Sequence, residues 1–358
     1  MSTSNIETNN LTTSVNDFFK SLNLMKVIAC FAVILIHSSI FDYNNINNQW
    51  WAVNFYNAIS RFAVPMFIMI SGALLINEKH SLKHFLSKRA IRIIPALIFW
   101  SVVYLAWLGD QRIYSASVIN AIISGPVYYH LWYLYAMIGV LMFSPILSAM
   151  YHNSNDALKS YFLTIWILSY SIYPMIKELL GLQFDFIGVY ELYSFFGLVG
   201  WYFLGAFVRD YITKQDCDIR TTTCLFIFFI SVIAIALLTY VYSKKLNVIT
   251  NNVGITSPLF FERNSPLIMI GTISLFIFLS QIKIKENTFI YNSIKNIASF
   301  SLGIYCLHLL LLRELLATIT NYFDNRWISI PVLSIVVFTL CVAIIYPLRK
   351  VKIVRYVL

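Results

Sequence analysis

Lys26 and His37 are separated by ten residues, VIACFAVILI, that carry no charge. On an α-helix, eleven steps of about 100° return to within about 20° of the starting face. The two residues therefore share one stripe, about 16 Å apart along the axis. A lysine at one end of such a run can carry its ammonium group to a lipid–water interface. A histidine eleven residues further on cannot. It must face a protein interior or a wet cavity. A neutral imidazole in that position can take a proton from a hydroxyl group, which is general-base chemistry. The plainer role is a hydrogen bond that ties two helices together.

A second group lies in HFLSKRAIRIIP, His84 to Pro95. Arg89 and Arg92 are three apart, so they are neighbours on a helix. Two guanidinium groups in that relation can clamp a phosphate or pyrophosphate. Anchoring at a membrane surface would also explain them. His130 in HLWYLY and His308 in SLGIYCLHLLLL lie in or beside apolar runs, with Trp132, Tyr133 and Tyr305 near them in sequence. His130, Trp132, Tyr305 and His308 are candidates for holding an acceptor or lining a channel. An interfacial aromatic belt accounts equally well for Trp132 and Tyr133. His80, His84 and His152 fall in polar connecting segments and read as solvated. Ser71-Gly72 reads as a point of close helix packing. Arg61 reads as an interfacial anchor, and Glu191 and Glu262 as solvated loop carboxylates. The five cysteines have no spacing that suggests a zinc site or a disulfide framework, and no metal is expected.

These residues need helices in lipid to position them. The chain has 358 residues, of which 59% are hydrophobic and 12% charged, and its mean hydropathy is +0.72. A soluble domain carries about twice that charge. The expected fold is an all-α polytopic integral membrane protein with about ten transmembrane helices. The spans are predicted near 22–41, 60–77, 93–109, 130–150, 160–176, 190–209, 222–242, 265–282, 297–316 and 331–348. The polar segment 1–20 lacks the basic start and short apolar core of a secretory leader. It is expected to be a disordered tail, with the transmembrane domain over 21–350 and a short basic tail over 351–358. Most of the 26 Lys and Arg residues fall on the side of the termini, Lys79, Lys83, Lys88, Arg349 and Lys352 among them. The positive-inside rule therefore places both termini in the cytoplasm. That bias and anionic lipid headgroups account for the formal charge of +10, so no nucleic-acid partner is expected.

A basic residue, ten residues and then His in the first span resembles the signature of the membrane acyltransferase-3 family. FAVPMFIMISGALL, the Arg89-x-x-Arg92 pair, HLWYLY, WYFLGAFV and SLGIYCLHLLLL continue the resemblance in order over nearly all of the chain after residue 20. The family usually has Arg in the first position. Lys26 keeps the charge but loses the bidentate fork.

The resemblance implies O-acylation of sugars in cell-envelope glycans or their lipid-linked precursors, with acetyl-CoA as co-substrate and no permanently bound cofactor. It implies the stand-alone bacterial branch, in the cytoplasmic (inner) membrane and without the extracytoplasmic hydrolase-like domain that relatives often add. His37 would be the catalytic base, and Lys26, Arg89 and Arg92 would bind acyl-CoA. The expected partners are acyl-CoA, the glycan and membrane lipids, with a homo-oligomer left open. The rival reading is an exporter or flippase of a lipid-linked glycan that performs no acyl transfer.

Overall fold

Long apolar runs in lipid must satisfy their backbone groups internally, and helices do so. The computed structural model describes residues 2–40, 43–44, 46–76, 82–114, 117–182, 193–214, 219–250, 254–351 and 354–358. Among them there is no strand. Among the described residues eight helices or helix pairs are long and apolar enough to cross a membrane. Ten spans were expected. The positions of the other two, 160–176 and 190–209, hold helices that fall short of that standard.

The first helix, α1 (Ser2–Ser39), is the central element. It packs against α2 (Trp50–Ser60), α3 (Ala63–Leu75), α11 (Pro266–Ser280), α12 (Phe289–Ser299), α13 (Ser301–Tyr322) and α14 (Arg326–Leu348). Its helical course includes most of the segment expected to be a disordered tail. Phe18 is buried with its ring 6.1 Å from Phe276. Lys20 pairs with Asp17 at 2.8 Å and Glu286 at 2.7 Å. Ordered packing thus begins before residue 21.

The second expected span, 60–77, starts earlier than the sequence suggested. α2 and α3 together run from Trp50 to Leu75, with a break at Arg61 and Phe62. Asn54 and Asn57 make the α2 sequence look like a loop, yet both are fully buried. The Asn54 amide nitrogen donates to the Ala236 carbonyl at 2.9 Å, so a neighbouring helix supplies one partner, while Asn54 Oδ1 and Asn57 Nδ2 have none among the described residues.

Around this centre lie α4 (Leu82–Trp107), α5 (Ser117–Ile123), α6 (Trp132–Asn153), α7 (Asp156–Ile167), α8 (Tyr173–Leu180), α9 (Tyr193–Lys214) and α10 (Thr221–Thr250). Asn155, Thr288 and Asn325 cap α7, α12 and α14 by accepting from Leu158, Tyr291 and Trp327 N–H groups. On α10 the residues Phe226, Phe229, Ile233, Leu237 and Val241 form an exposed, wholly apolar stripe at helical spacing. Water would not tolerate that face, and lipid requires it.

Arg209 is buried on α9, where it pairs with Asp210 and donates to the Ala73 carbonyl at 2.7 Å. Cys30, Cys224, Cys306 and Cys341 are buried thiols, and Cys217, His80 and Glu191 lie outside the described residues.

α3 and α9 cross where two glycines face the opposite backbone. A Cβ on Gly72 would fall 1.7 Å from the Tyr202 carbonyl oxygen, and one on Gly205 would fall 2.0 Å from that of Met69. Gly72→Ala and Gly205→Ala should each force these helices apart. The expected cost is about 1–3 kcal/mol or more, seen as a lower thermal midpoint of the detergent-purified protein. An unchanged midpoint in both variants would refute the crossing.

Candidate active site

A cavity with about 950 Å³ of empty space, its open mouth included, runs inward from the basic end of the bundle. Lys26, Arg89 and Arg92 stand at its mouth. They come from two elements. Lys26 is on the central helix, and the arginines are one turn apart at the start of α4. The charge of Arg349, just beyond α14, also acts on Arg92. Three cations therefore converge at one opening, with the charge of Arg349 reaching it from outside the cavity, an arrangement suited to a polyanion. The walls are apolar, with Ile70, Leu74, Met137 and Leu141, and can receive a flexible chain but not a charge.

The cavity ends on aromatic rings. Phe67, Tyr133 and Tyr305 line its inner part, with ring centroids 6.3 Å apart for Phe67–Tyr133 and 5.2 Å for Tyr133–Tyr305. Behind Tyr305 lie three imidazoles. The His308 ring is 5.2 Å from that of His37 and 5.4 Å from that of His130. His130 and His308 are almost wholly buried, whereas His37 is only half-buried. It sits in the last turn of α1, nearer the far end of the helix than a mid-depth position would be. Its Nδ1 lies 3.4 Å from the hydroxyl of Tyr129, which is half exposed.

Backbone carbonyls fix the two buried rings. His308 Nδ1 donates to the Tyr305 carbonyl in the preceding turn, and His130 Nε2 donates to the Cys306 carbonyl at 3.3 Å. Tyr104 donates to the same Cys306 oxygen at 2.8 Å, and Tyr305 donates to the His130 carbonyl. A neutral imidazole that donates through one nitrogen carries its lone pair on the other. Those lone pairs, on His308 Nε2 and His130 Nδ1, are buried and without a partner among the described residues. The cluster is thus rich in unsatisfied proton acceptors, which is costly in a core and useful where a hydroxyl must be bound. Among the described residues no group of His, Cys, Asp or Glu is arranged to hold a metal ion.

A family model described as an acyltransferase domain matches residues 19–346. The chain belongs to the acyltransferase-3 family. No curated protein and no solved structure matches it.

In this acyltransferase the residues expected to act together fall into two groups. Lys26, Arg89, Arg92 and Tyr305 surround the cavity, and His37, His130 and His308 cluster beyond it. His37 does not line the cavity. Trp132 does not line it either. It packs under the Arg263 guanidinium, 4.3 Å from Cζ to ring centroid, and the next residue, Tyr133, faces the cavity instead. Sequence reasoning gave no role to Tyr129, Tyr104 or Arg349. Aromatics near the ends of spans look like interfacial anchors, and a terminal arginine looks like positive-inside bias.

Tyr305→Phe deletes the hydroxyl that ties α13 to the turn before α6. The acyltransferase should lose about 1–3 kcal/mol of stability, because a buried carbonyl is left without that donor. Thermal unfolding in detergent measures this, and a loss below the error of the method would show that the bond is not formed.

Proposed function

We propose that the protein is an O-acyltransferase that moves an acyl group, acetyl in the simplest case, from cytoplasmic acyl-CoA to a sugar hydroxyl of a cell-envelope glycan or its lipid-linked precursor. The observation that carries this reading is the alignment of a cation-rimmed apolar cavity with a histidine cluster across one aromatic partition. The positive-inside rule puts the basic mouth in the cytoplasm of a bacterial inner membrane, where acyl-CoA is found.

In this reading the phosphates of CoA sit on Lys26, Arg89 and Arg92, and the pantetheine arm runs along the apolar walls. The thioester stops at Tyr133 and Tyr305. To reach His37 it must displace Tyr305 from its hydrogen bond to the His130 carbonyl, at a cost of about 0.5–1.5 kcal/mol. His37 is the one imidazole of the three with partial exposure, so it meets the acceptor. It removes the proton from the sugar hydroxyl as the oxygen attacks the thioester carbonyl. The C–S bond then breaks, and CoA leaves as a thiol after receiving a proton from the imidazolium. General-base assistance of this kind supplies about 10²–10⁴-fold. Tyr129 positions the ring through Nδ1, leaving Nε2 to act as the base.

His37→Ala should lower acetylation of the glycan at least a hundredfold while the protein remains folded and inserted. Mass spectrometry of envelope glycan from cells carrying the variant checks this. Normal acetylation would refute the mechanism, and polymer retained inside the cell would point to export instead. Tyr129→Phe should cost several-fold in kcat and leave KM for acyl-CoA unchanged. Replacing Arg89 and Arg92 together by Gln should raise KM for acyl-CoA tenfold or more. An equal rise in KM for the acceptor would assign them to anchoring.

A further inference from the structure

Arg61 does not behave as an interfacial anchor. It lies at the break between α2 and α3, half-buried, and its charge acts on the His37 ring. The Arg61 Cζ sits 4.8 Å from the centroid of the Phe261 ring. Two residues further along that loop, the half-buried Arg263 places its Cζ 4.3 Å from the centroid of Trp132. Trp132 begins the helix that follows His130. Arg61 therefore lies close enough for its charge to reach His37, and Arg263 stacks on a residue two positions from His130.

Among the described residues their positive charge is only partly compensated. Among the described residues neither arginine forms an ion pair. Glu262 is the described carboxylate whose charge reaches both, and it is exposed, so among the described residues one negative charge stands against two positive ones. Tyr43 is no counter-ion. Its hydroxyl donates to the Ser257 carbonyl at 2.9 Å, and burial pushes the phenol well above its ordinary range. Asp110, on the loop after α4, is committed to Arg112, whose guanidinium holds the carboxyl down at about 2.

Among the described residues the hydrogen-bonding edges are open as well. Arg61 spends its Nε on the Asn57 side chain at 2.5 Å, which leaves its terminal nitrogens. A guanidinium packed over an aromatic face keeps its in-plane N–H donors available, and those donors match the two oxygens of a carboxylate or phosphate. A purely structural arginine at this depth would be expected to have a carboxylate partner, as Arg209 has in Asp210.

We propose that Arg61 and Arg263 form an anion subsite for the acceptor, so that the sugar presented to His37 carries an acidic group. That group is either a carboxylate on the glycan or the phosphate of a lipid carrier. This rests on the acyl-transfer reading for its purpose, but the binding it asserts stands apart from turnover.

The test uses full-length protein in lipid nanodiscs and equilibrium binding of three probes: oligogalacturonate, its neutral methyl ester, and a polyprenyl-phosphate-linked N-acetylglucosamine. One of the two acidic probes should bind at least tenfold more tightly than the neutral ester, and less tightly as salt is raised. Which of them binds names the source of the anion. Arg61→Gln and Arg263→Gln should each reduce that preference to threefold or less, while Arg61→Lys keeps most of it. Thermal midpoints identify any variant that fails to fold, and Arg263→Gln then decides alone. Equal binding of all three probes, no binding of either acid, or a preference that survives in every folded variant would overturn the proposal. Acid-selective binding without any acyl transfer would overturn the acyl-transfer reading and leave the subsite standing.

Discussion

Polar rings inside an apolar bundle must find partners, and here the backbone provides them. His130 and His308 each spend one ring nitrogen on a carbonyl of α13. Tyr104 and Tyr305 spend their hydroxyls on Cys306 and His130. These bonds join α4, α13 and the turn before α6 at one level, and they orient the imidazoles against His37. An unpaired donor at this depth would cost several kcal/mol, so the network is a condition for the fold as well as for the site. The lone pairs left over, on His308 Nε2 and His130 Nδ1, are the residual cost of burying these imidazoles.

The same constraint divides the molecule. Cations are tolerated where they reach an aqueous mouth, so Lys26, Arg89 and Arg92 gather at the basic end. Between that mouth and His37 the walls are apolar, and aromatic rings interrupt the route. This partition suits a donor and an acceptor that live on opposite sides of a membrane. The aromatic rings keep the cavity and the histidine cluster apart, a form of control that a straight channel would lack.

Much of this was legible in the chain. A polar residue within an apolar run is rare enough to mark a site, and His37, His130 and His308 converge as that logic requires. Other parts were hidden for physical reasons. The helix before residue 60 was not expected because the burial of Asn54 depends on a carbonyl from another helix, which no local pattern records. Arg61 read as an anchor because a basic residue next to an apolar run has two meanings, and only its neighbours Phe261 and His37 separate them. Tyr129 and Tyr133 were masked by the general enrichment of aromatics at lipid–water interfaces. The packed stretch Asp17–Leu22 was obscured because its ties, Lys20 to Glu286 and Phe18 to Phe276, are distant in sequence.

Sidedness is the most direct test of the account. The protein would be reconstituted in sealed vesicles in one orientation, with labelled acetyl-CoA only on the basic face and the acceptor glycan only on the opposite face. Label should appear on the acceptor as CoA thiol accumulates on the donor side, in equal amounts. Release of CoA thiol without label crossing, or transfer only when donor and acceptor share a compartment, would contradict it.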